Sequence, residues 1–478
     1  MKEERDFLRR KRSRFEKRTG NPRHRQQNND ARSVAFEALC RFFIKGNDIE
    51  STIDRFFNKK DETTGEFLIS PQEKRLCFEI IYGVLRNKSR LDFAINKYLA
   101  SPVQEEEKLK IILEIGAYQI LFLTKIPDFA AVNESVNLCK KNAQTAKFSN
   151  LTNAVLRKLL SDKNKALKIP DDLPFAEKIA LEYSHPLWLA QKWAERFGKT
   201  GAQKIMEFNN NAPDIFVRRS VSTNKNKFEA VIAKNCHNNA ISTGFNNLYY
   251  RLKQGERFEK SDVFLSGQCT IQSPSSGWVV ALLDVKNGKD VLDLCAAPAG
   301  KTALIAELAP DSRVLAVDVS FVRARMISDT LKRLSLKNVD TVVCDAAKLC
   351  ASPKFDYVLA DVPCSATGVI NHHPESRWIR DLDAIKRAAA KQKEILRSAA
   401  PFVNVGGVIV YSTCSLEDEE NREVVKEFLR ENENFRLISA KTVISDTQIL
   451  SDNGEFLEIT PNKNARDAIF AAKFERVK

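Results

Sequence analysis

Apolar positions recur at helical spacing through the first third of the chain. In "ARSVAFEALCRFF", Val34, Ala35, Leu39, Phe42 and Phe43 fall on one side of a helix. In "EEEKLKIILEIGAYQILFL", Leu109, Ile112, Leu113 and Ile120 do the same, behind acids that suit a first helical turn. "AAVNESVNLCKKNA" and "SNLTNAVLRKLL" continue the pattern without strand alternation, so residues 31–165 are predicted to form an all-helical domain. "IPDDLPF", with two prolines, marks a boundary. Residues 166–285 mix a helix ("HPLWLAQKWAERFG") with short strand candidates ("DIFVRRSV", "NLYYRL") and read as a linker and small α+β subdomain.

From 286 to 478 the rhythm is strand–helix–strand. "DVLDLC", "RVLAVDV", "DTVVCDA", "FDYVLADV" and "GGVIVYSTC" are near-continuous apolar runs, separated in places by helical stretches such as "TALIAELA" and "DAIKRAAAKQKEILRSA". That pattern predicts an α/β domain with a parallel sheet covered on both faces. Ligands of such sheets bind at the carboxyl ends of the strands. Cys295, Asp318, Asp345, Asp361, Cys364 and Cys414 all fall at those ends, more polar and reactive groups than packing of one edge requires.

Composition narrows the class. The chain has 478 residues, 43% hydrophobic and 29% charged, with a formal net charge of +14. That excess favours a polyanionic partner, with nucleic acid the commonest and simple solubility the alternative. Residues 1–30 hold 11 Lys/Arg against 5 Asp/Glu and read as a disordered basic arm. No apolar run reaches the ~18 residues of a membrane span, and the charged N-terminus lacks the apolar core of a secretory signal. Ten cysteines occur without CxxC pairs, against both a zinc site and a disulfide framework. The expectation is a reduced, cytoplasmic enzyme.

"VLDLCAAPAGKT" is a strand, a small-residue turn and a helix start. Gly300, Lys301 and Thr302 fit the end of a Walker A loop, but Cys295 stands where its first glycine belongs and would hinder a phosphate-wrapping turn. The glycine spacing of a nicotinamide fingerprint is absent. The third reading is S-adenosylmethionine, which has no phosphates to cradle. Asp318 suits its two ribose hydroxyls and Asp345 its adenine amino group, with helix or loop capping as the alternative for each acid.

"DVPCSATGV" and "YSTCSLEDEE" put Cys364 and Cys414 on polar turns after strands. Carbon 5 of cytosine is a poor nucleophile. A thiolate adding at carbon 6 makes it enamine-like, so that it can take a methyl group and then eliminate the thiolate. Such chemistry needs a nucleophilic cysteine, an acid gripping the base edge and help with elimination. Asp361 and the two cysteines supply those residue types.

Together "VLDLCAAPAGKT", "ADVPCSATGVI" and "YSTCSLEDEEN" resemble the RsmB/Fmu/Sun-type 16S rRNA cytosine-5 methyltransferases of the wider RsmB/NSUN family. "IPDFAAVNESVNLCKK" and "LTNAVLRKLL" resemble the NusB-like RNA-binding domain fused to that branch. The resemblance implies a Rossmann-like class I methyltransferase domain, an S-adenosyl-L-methionine cofactor, no metal, ribosomal RNA as partner and a monomer. It implies Cys414 as nucleophile, Cys364 as the group assisting product release and Asp361 on the cytosine edge. Cys295, Ala296, Ala297, Pro298, Ala299, Gly300, Lys301, Asp318, Asp345 and Asp361 would line the cofactor pocket. Three positions depart from the family pattern: Ala299 replaces a glycine, Ser273 follows Gln272 in place of Asp, and "DAIF" (467–470) replaces Asp-Gly-Phe-Phe. If position 299 needs positive φ, Ala strains it. Arg218, Arg219 and Arg251 are candidate phosphate contacts, and "NHHPESRWIR" (371–380) a candidate RNA-facing loop, each with ordinary packing as the alternative. A non-catalytic RNA-binding protein is the competing class, and the two cysteines argue against it.

Overall fold

The computed structural model describes residues 30–60, 69–99, 106–233, 242–253, 258–349, 354–464 and 466–478. The basic arm, apart from Asp30, lies outside them. The chain divides into two compact units, Met1–Ile169 and Pro170–Lys478.

The first unit is helical where it is described. Its longer helices are Ala31–Lys45, Pro71–Asn96, Glu107–Phe122, Asp128–Lys141 and Ser149–Ser161. Asp30, Asp48 and Ser70 each cap a following helix by accepting from a first-turn backbone N–H. Glu107–Phe122 is the central helix, with every residue from Ile111 to Ile120 buried. An all-round apolar helix needs neighbours on each side, which explains its weak amphipathic signal. Its single acid in that run, Glu114, pairs with Lys88 of Pro71–Asn96.

In the second unit a small antiparallel sheet forms from β1 (Phe216–Arg219), β2 (Tyr249–Arg251) and β3 (Cys269–Ile271), in order β2-β1-β3. The larger sheet holds β4 (Asp290–Leu294), β5 (Arg313–Asp318), β6 (Val339–Val343), β7 (Phe355–Asp361), β8 (Val403–Thr413), β9 (Phe435–Ile438), β10 (Leu457–Ile459) and β11 (Ile469–Arg476). Its order is β10-β11-β8-β7-β4-β5-β6, with β9 also pairing β11. The strands from β8 to β6 run parallel, as the apolar runs predict. The sheet is not wholly parallel, however. β11 enters antiparallel beside β8 and carries β9 and β10 antiparallel to itself.

Two buried clusters cover the faces of this sheet. One joins Leu292, Val358 and Tyr411 to Ile395 and Phe428, the other joins Val291, Leu359 and Val410 to Val280 and Leu304. Successive strand residues alternate between the clusters, so both faces need apolar side chains. The chain winds outward from β4 to β5 and β6 on one side, and continues through β7 and β8 on the other. The strand order therefore switches between β4 and β7, and the crevice at their carboxyl ends is where a ligand fits.

Arg218 corrects the phosphate-contact expectation. It is fully buried on β1 and donates to Glu307 (2.6 Å) and Gln272 (2.7 Å). Arg219 donates to the carbonyls of Ser220 and Thr223, and Arg251 pairs with Asp214. In "NHHPESRWIR", Arg377 is likewise buried, donating to the carbonyl of Ser184 and to Asn210.

Candidate active site

Each group at the crevice is the product of a strand end. β7 and β8 run parallel with Asp361 opposite Ser412. Cys364 follows Asp361 by three residues and Cys414 follows Ser412 by two, so the two turns meet. The sulfurs of Cys364 and Cys414 lie 3.0 Å apart. Beside them Asp361 accepts from Lys301 Nζ at 2.6 Å through one oxygen and from Ser412 Oγ at 2.6 Å through the other. Lys301 rises from the first turn of the helix Gly300–Leu308, which starts directly after the β4 turn.

A second layer fixes the cysteine turns. Glu420 is fully buried. It accepts from Ser365 N (2.8 Å), Gln392 Nε2 (2.8 Å), Ser415 Oγ (2.7 Å) and the Ser365 hydroxyl. Ser365 and Ser415 are the residues after the two cysteines, so one carboxylate ties both turns. Gly368 N donates to Cys414 O (3.0 Å) and Leu416 N to Thr367 Oγ1 (3.0 Å), lacing the turns further. Sequence reasoning missed Glu420. The run "LEDEE" reads as solvated charge, and nothing in it says which acid turns inward.

The electrostatics of the sulfurs differ. Contact with Cys414, burial and the Glu420 carboxylate hold the Cys364 thiol well above the ordinary thiol range. Burial pushes the Cys295 thiol up to about 12, with Asp361, Asp318 and Asp293 adding to it. Burial works against the Lys301 ammonium, but the Asp361 carboxylate outweighs it and holds the lysine above its ordinary range.

The adjoining cleft is lined by Ile271, Gln272, Ser273, Ser276, Asp293, Cys295, Ala296, Ala297, Pro298, Gly300, Lys301 and Asp361. Ala299 sits beneath this loop, fully buried. Asp318, ending β5, accepts from Ala297 N (3.3 Å) and Ser320 N (3.1 Å) and so anchors the loop. Asp345 lies farther out, past β6, where it caps a short turn through Ala347 N (3.0 Å) and pairs with Lys391. The structure therefore brings the loop, Asp318, Asp361 and both cysteines to one crevice and leaves Asp345 at its outer edge. The Walker A reading falls away. Lys301 is engaged with Asp361, and Thr302 Oγ1 donates to buried Asp293 at 2.6 Å, so neither is turned toward a phosphate.

The departures at 299, 273 and 468 have physical accounts. Ala299 has φ +76° and ψ +19°, the left-handed region that costs a side-chain-bearing residue about 1–2 kcal/mol. Its buried methyl returns about 0.8 kcal/mol by packing near Ala316 and Ile327. Ala299→Gly is therefore expected to raise stability by up to about 1 kcal/mol, read as a small rise in Tm on thermal unfolding. A fall of that size instead would mean that the methyl outweighs the strain. Ala468 needs no glycine, because it is not among the residues of positive φ and its methyl sits against Gly368, where a second Cβ would clash. Asp467 is intact in that stretch. It accepts from His372 Nε2 (3.0 Å) and Asn371 Nδ2 (3.2 Å), and the Ser273 hydroxyl bonds to it as well.

Among the described residues no cluster of His, Cys, Asp or Glu could hold a metal ion, and no helix is long and apolar enough to cross a membrane.

Comparison with known proteins places the chain in a family. The family model described as 16S rRNA methyltransferase RsmB/F matches residues 280–475, and the NusB family model matches 29–161. The chain is 32% identical over 405 residues to ribosomal RNA small subunit methyltransferase B of Cronobacter sakazakii, covering 83% of this chain and 89% of that one. Among solved structures it is similar to PH0851, with TM-score 0.75 and 22% identity, covering 93% of this chain and 99% of that one. NSun6 from Pyrococcus horikoshii, solved with SFG, gives TM-score 0.54 and 22% identity over 61% of this chain and 98% of that one.

Proposed function

The chain belongs to the RsmB/F family of 16S rRNA methyltransferases, and on that premise we propose that it transfers a methyl group from S-adenosylmethionine to carbon 5 of a cytosine in small-subunit rRNA, through a covalent cysteine adduct. The observation that carries this reading is the pair of sulfurs 3.0 Å apart beside the Lys301–Asp361 ion pair. Two thiols on adjacent strand ends are redundant for simple methyl transfer. They suit a reaction in which one sulfur bonds to the base and must later leave.

When bound, S-adenosylmethionine supplies a sulfonium-activated methyl group. The loop 295–301 would hold it, with Asp318 on the ribose hydroxyls, Asp345 on the adenine amino group and Asp361 nearby. Asp318 Oδ1 accepts one backbone N–H, from Ser320, while Oδ2 accepts from Ala297 N and pairs with Arg323, so Oδ1 is the oxygen with capacity left for a hydroxyl. The relative solved with SFG, an analogue of the same cofactor, supports this choice.

Cys414 adds its sulfur to carbon 6 of the cytosine. Asp361 accepts from the exocyclic amine of the base and is itself held by Lys301 and Ser412. After methylation, carbon 5 loses its proton to a base, the carbon 5–carbon 6 double bond returns and the carbon–sulfur bond breaks. Cys364, kept as a neutral thiol 3.0 Å away, can give a hydrogen bond or a proton to the departing sulfur.

The test is product identity. Small-subunit rRNA, naked and partly assembled, is incubated with the protein and methyl-labelled cofactor, then digested to nucleosides. Label in 5-methylcytidine is expected. Label on another base, or on another atom of cytosine, sinks the carbon-5 reading.

A further inference from the structure

Gln272 follows β3, is buried, and lines the cofactor cleft. Its amide is not free to turn. Oε1 accepts from Arg218 Nε at 2.7 Å and from Tyr249 OH at 3.2 Å. Arg218 is in turn locked by Glu307, on the helix Gly300–Leu308. With Oε1 held from one side, Nε2 must project the other way. That nitrogen is buried and has no partner, and a Cβ built on Gly300 would stand 3.2 Å from it. A side chain at position 300 would crowd this amide at the helix start.

A complementary orphan lines the same cleft. Asp293 accepts from Thr302 through Oδ2, whereas its buried Oδ1 has no partner. Buried polar atoms are rarely left unpaired, so an unpaired donor and an unpaired acceptor at one cleft call for a ligand carrying both complements. An α-amino-acid group is such a ligand. Its carboxylate takes donors, and its ammonium takes acceptors. The N-terminus of Gly300–Leu308 adds partial positive charge suited to the carboxylate.

We infer that Gln272 positions the amino-acid end of the cofactor, its Nε2–H donating to the cofactor carboxylate while the free oxygen of Asp293 accepts from the ammonium. This inference rests on the cofactor reading above and deepens it. It gives the small β2-β1-β3 subdomain a task in that reading: through Arg218 and Tyr249 it orients a side chain in the cofactor cleft.

Asp293 adds a pH signature. Burial pushes its carboxyl up to about 7, Asp361 and Asp318 add to the shift, and the Thr302 hydrogen bond and Lys301 oppose it. These groups and the Cys295 thiol are what it faces. Below that pH the carboxyl must shed a proton to receive an ammonium. Affinity for a ligand carrying the amino-acid end should therefore weaken by up to about tenfold per pH unit below neutrality and level off above it.

The test is calorimetric titration of the full chain with S-adenosylhomocysteine and with 5′-methylthioadenosine, which lacks the amino-acid end. Gln272→Glu keeps an acceptor for Arg218 and Tyr249, so the subdomain stays anchored, but it exchanges the donor for a repelling oxygen. Expected is a loss of about 10- to 100-fold for S-adenosylhomocysteine with methylthioadenosine unchanged. Asp293→Asn should flatten the pH profile for the first ligand only. Unaltered binding of S-adenosylhomocysteine to Gln272→Glu, or equal weakening of both ligands, overturns the inference alone. A wild-type protein that binds neither ligand overturns the cofactor reading, and this inference falls with it.

Discussion

Cys414→Ala is expected to abolish methyl transfer, by about 10⁴-fold or more, and to form no RNA-linked protein, whereas Cys364→Ala should accumulate one. The resemblance of the two motifs sets the assignment of the two sulfurs, since their separation is symmetric. Contact with Cys414, burial and the Glu420 carboxylate hold the Cys364 proton in place. The nucleophile must become a thiolate to add to the base. The releasing group must keep its proton, which burial and negative charge favour. Removing Cys364 leaves addition and methylation intact and slows departure, so the adduct persists. Incubation with small-subunit rRNA and cofactor, followed by a denaturing gel, reads both variants at once. An adduct that accumulates in Cys414→Ala and is absent from Cys364→Ala would exchange the two roles.

The strand ends were legible because each apolar run stops at a polar or reactive residue. "FDYVLADV" and "GGVIVYSTC" show both the strand and the turn that carries its cysteine. Three kinds of information were not legible. β11 spans "IFAAKFER", and Lys473 interrupts its apolar run. Only in the fold does that lysine's chain lie buried, with Nζ reaching the carbonyl of Leu283 at 3.4 Å. The antiparallel half of the sheet was therefore missed. Arg218 and Arg377 look like surface cations in sequence, yet each is buried against partners far along the chain, Glu307 and Ser184 among them. Gln272 and Ala299 were noticed as positions of interest, but what each does depends on a direction or a torsion. The orphaned Nε2 and the φ of +76° belong to the folded chain alone.

Glu420→Ala is expected to cost about 1–3 kcal/mol, a sizeable share of the roughly 5–15 kcal/mol that holds a domain folded. It strands the Ser365 N–H inside the protein, where water cannot replace the lost acceptor, and takes one partner each from the Gln392 amide, which keeps Pro363 O, and from the Ser365 and Ser415 hydroxyls, which keep each other. Loss of turnover in that variant would therefore not separate positioning from folding, but Glu420→Gln does. The amide oxygen can still accept from Ser365 N and Gln392, and the new NH₂ faces two hydroxyls that rotate to accept. That variant should fold with a cost of about 1 kcal/mol. It nevertheless removes a negative charge that holds the Cys364 proton. The pH profile of Cys364 alkylation, read by mass spectrometry, should therefore move to lower pH in Glu420→Gln, and release of the methylated RNA should slow while adduct formation does not. A variant that folds, alkylates at the wild-type pH and turns over normally would show that Glu420 serves only to tie the two turns together.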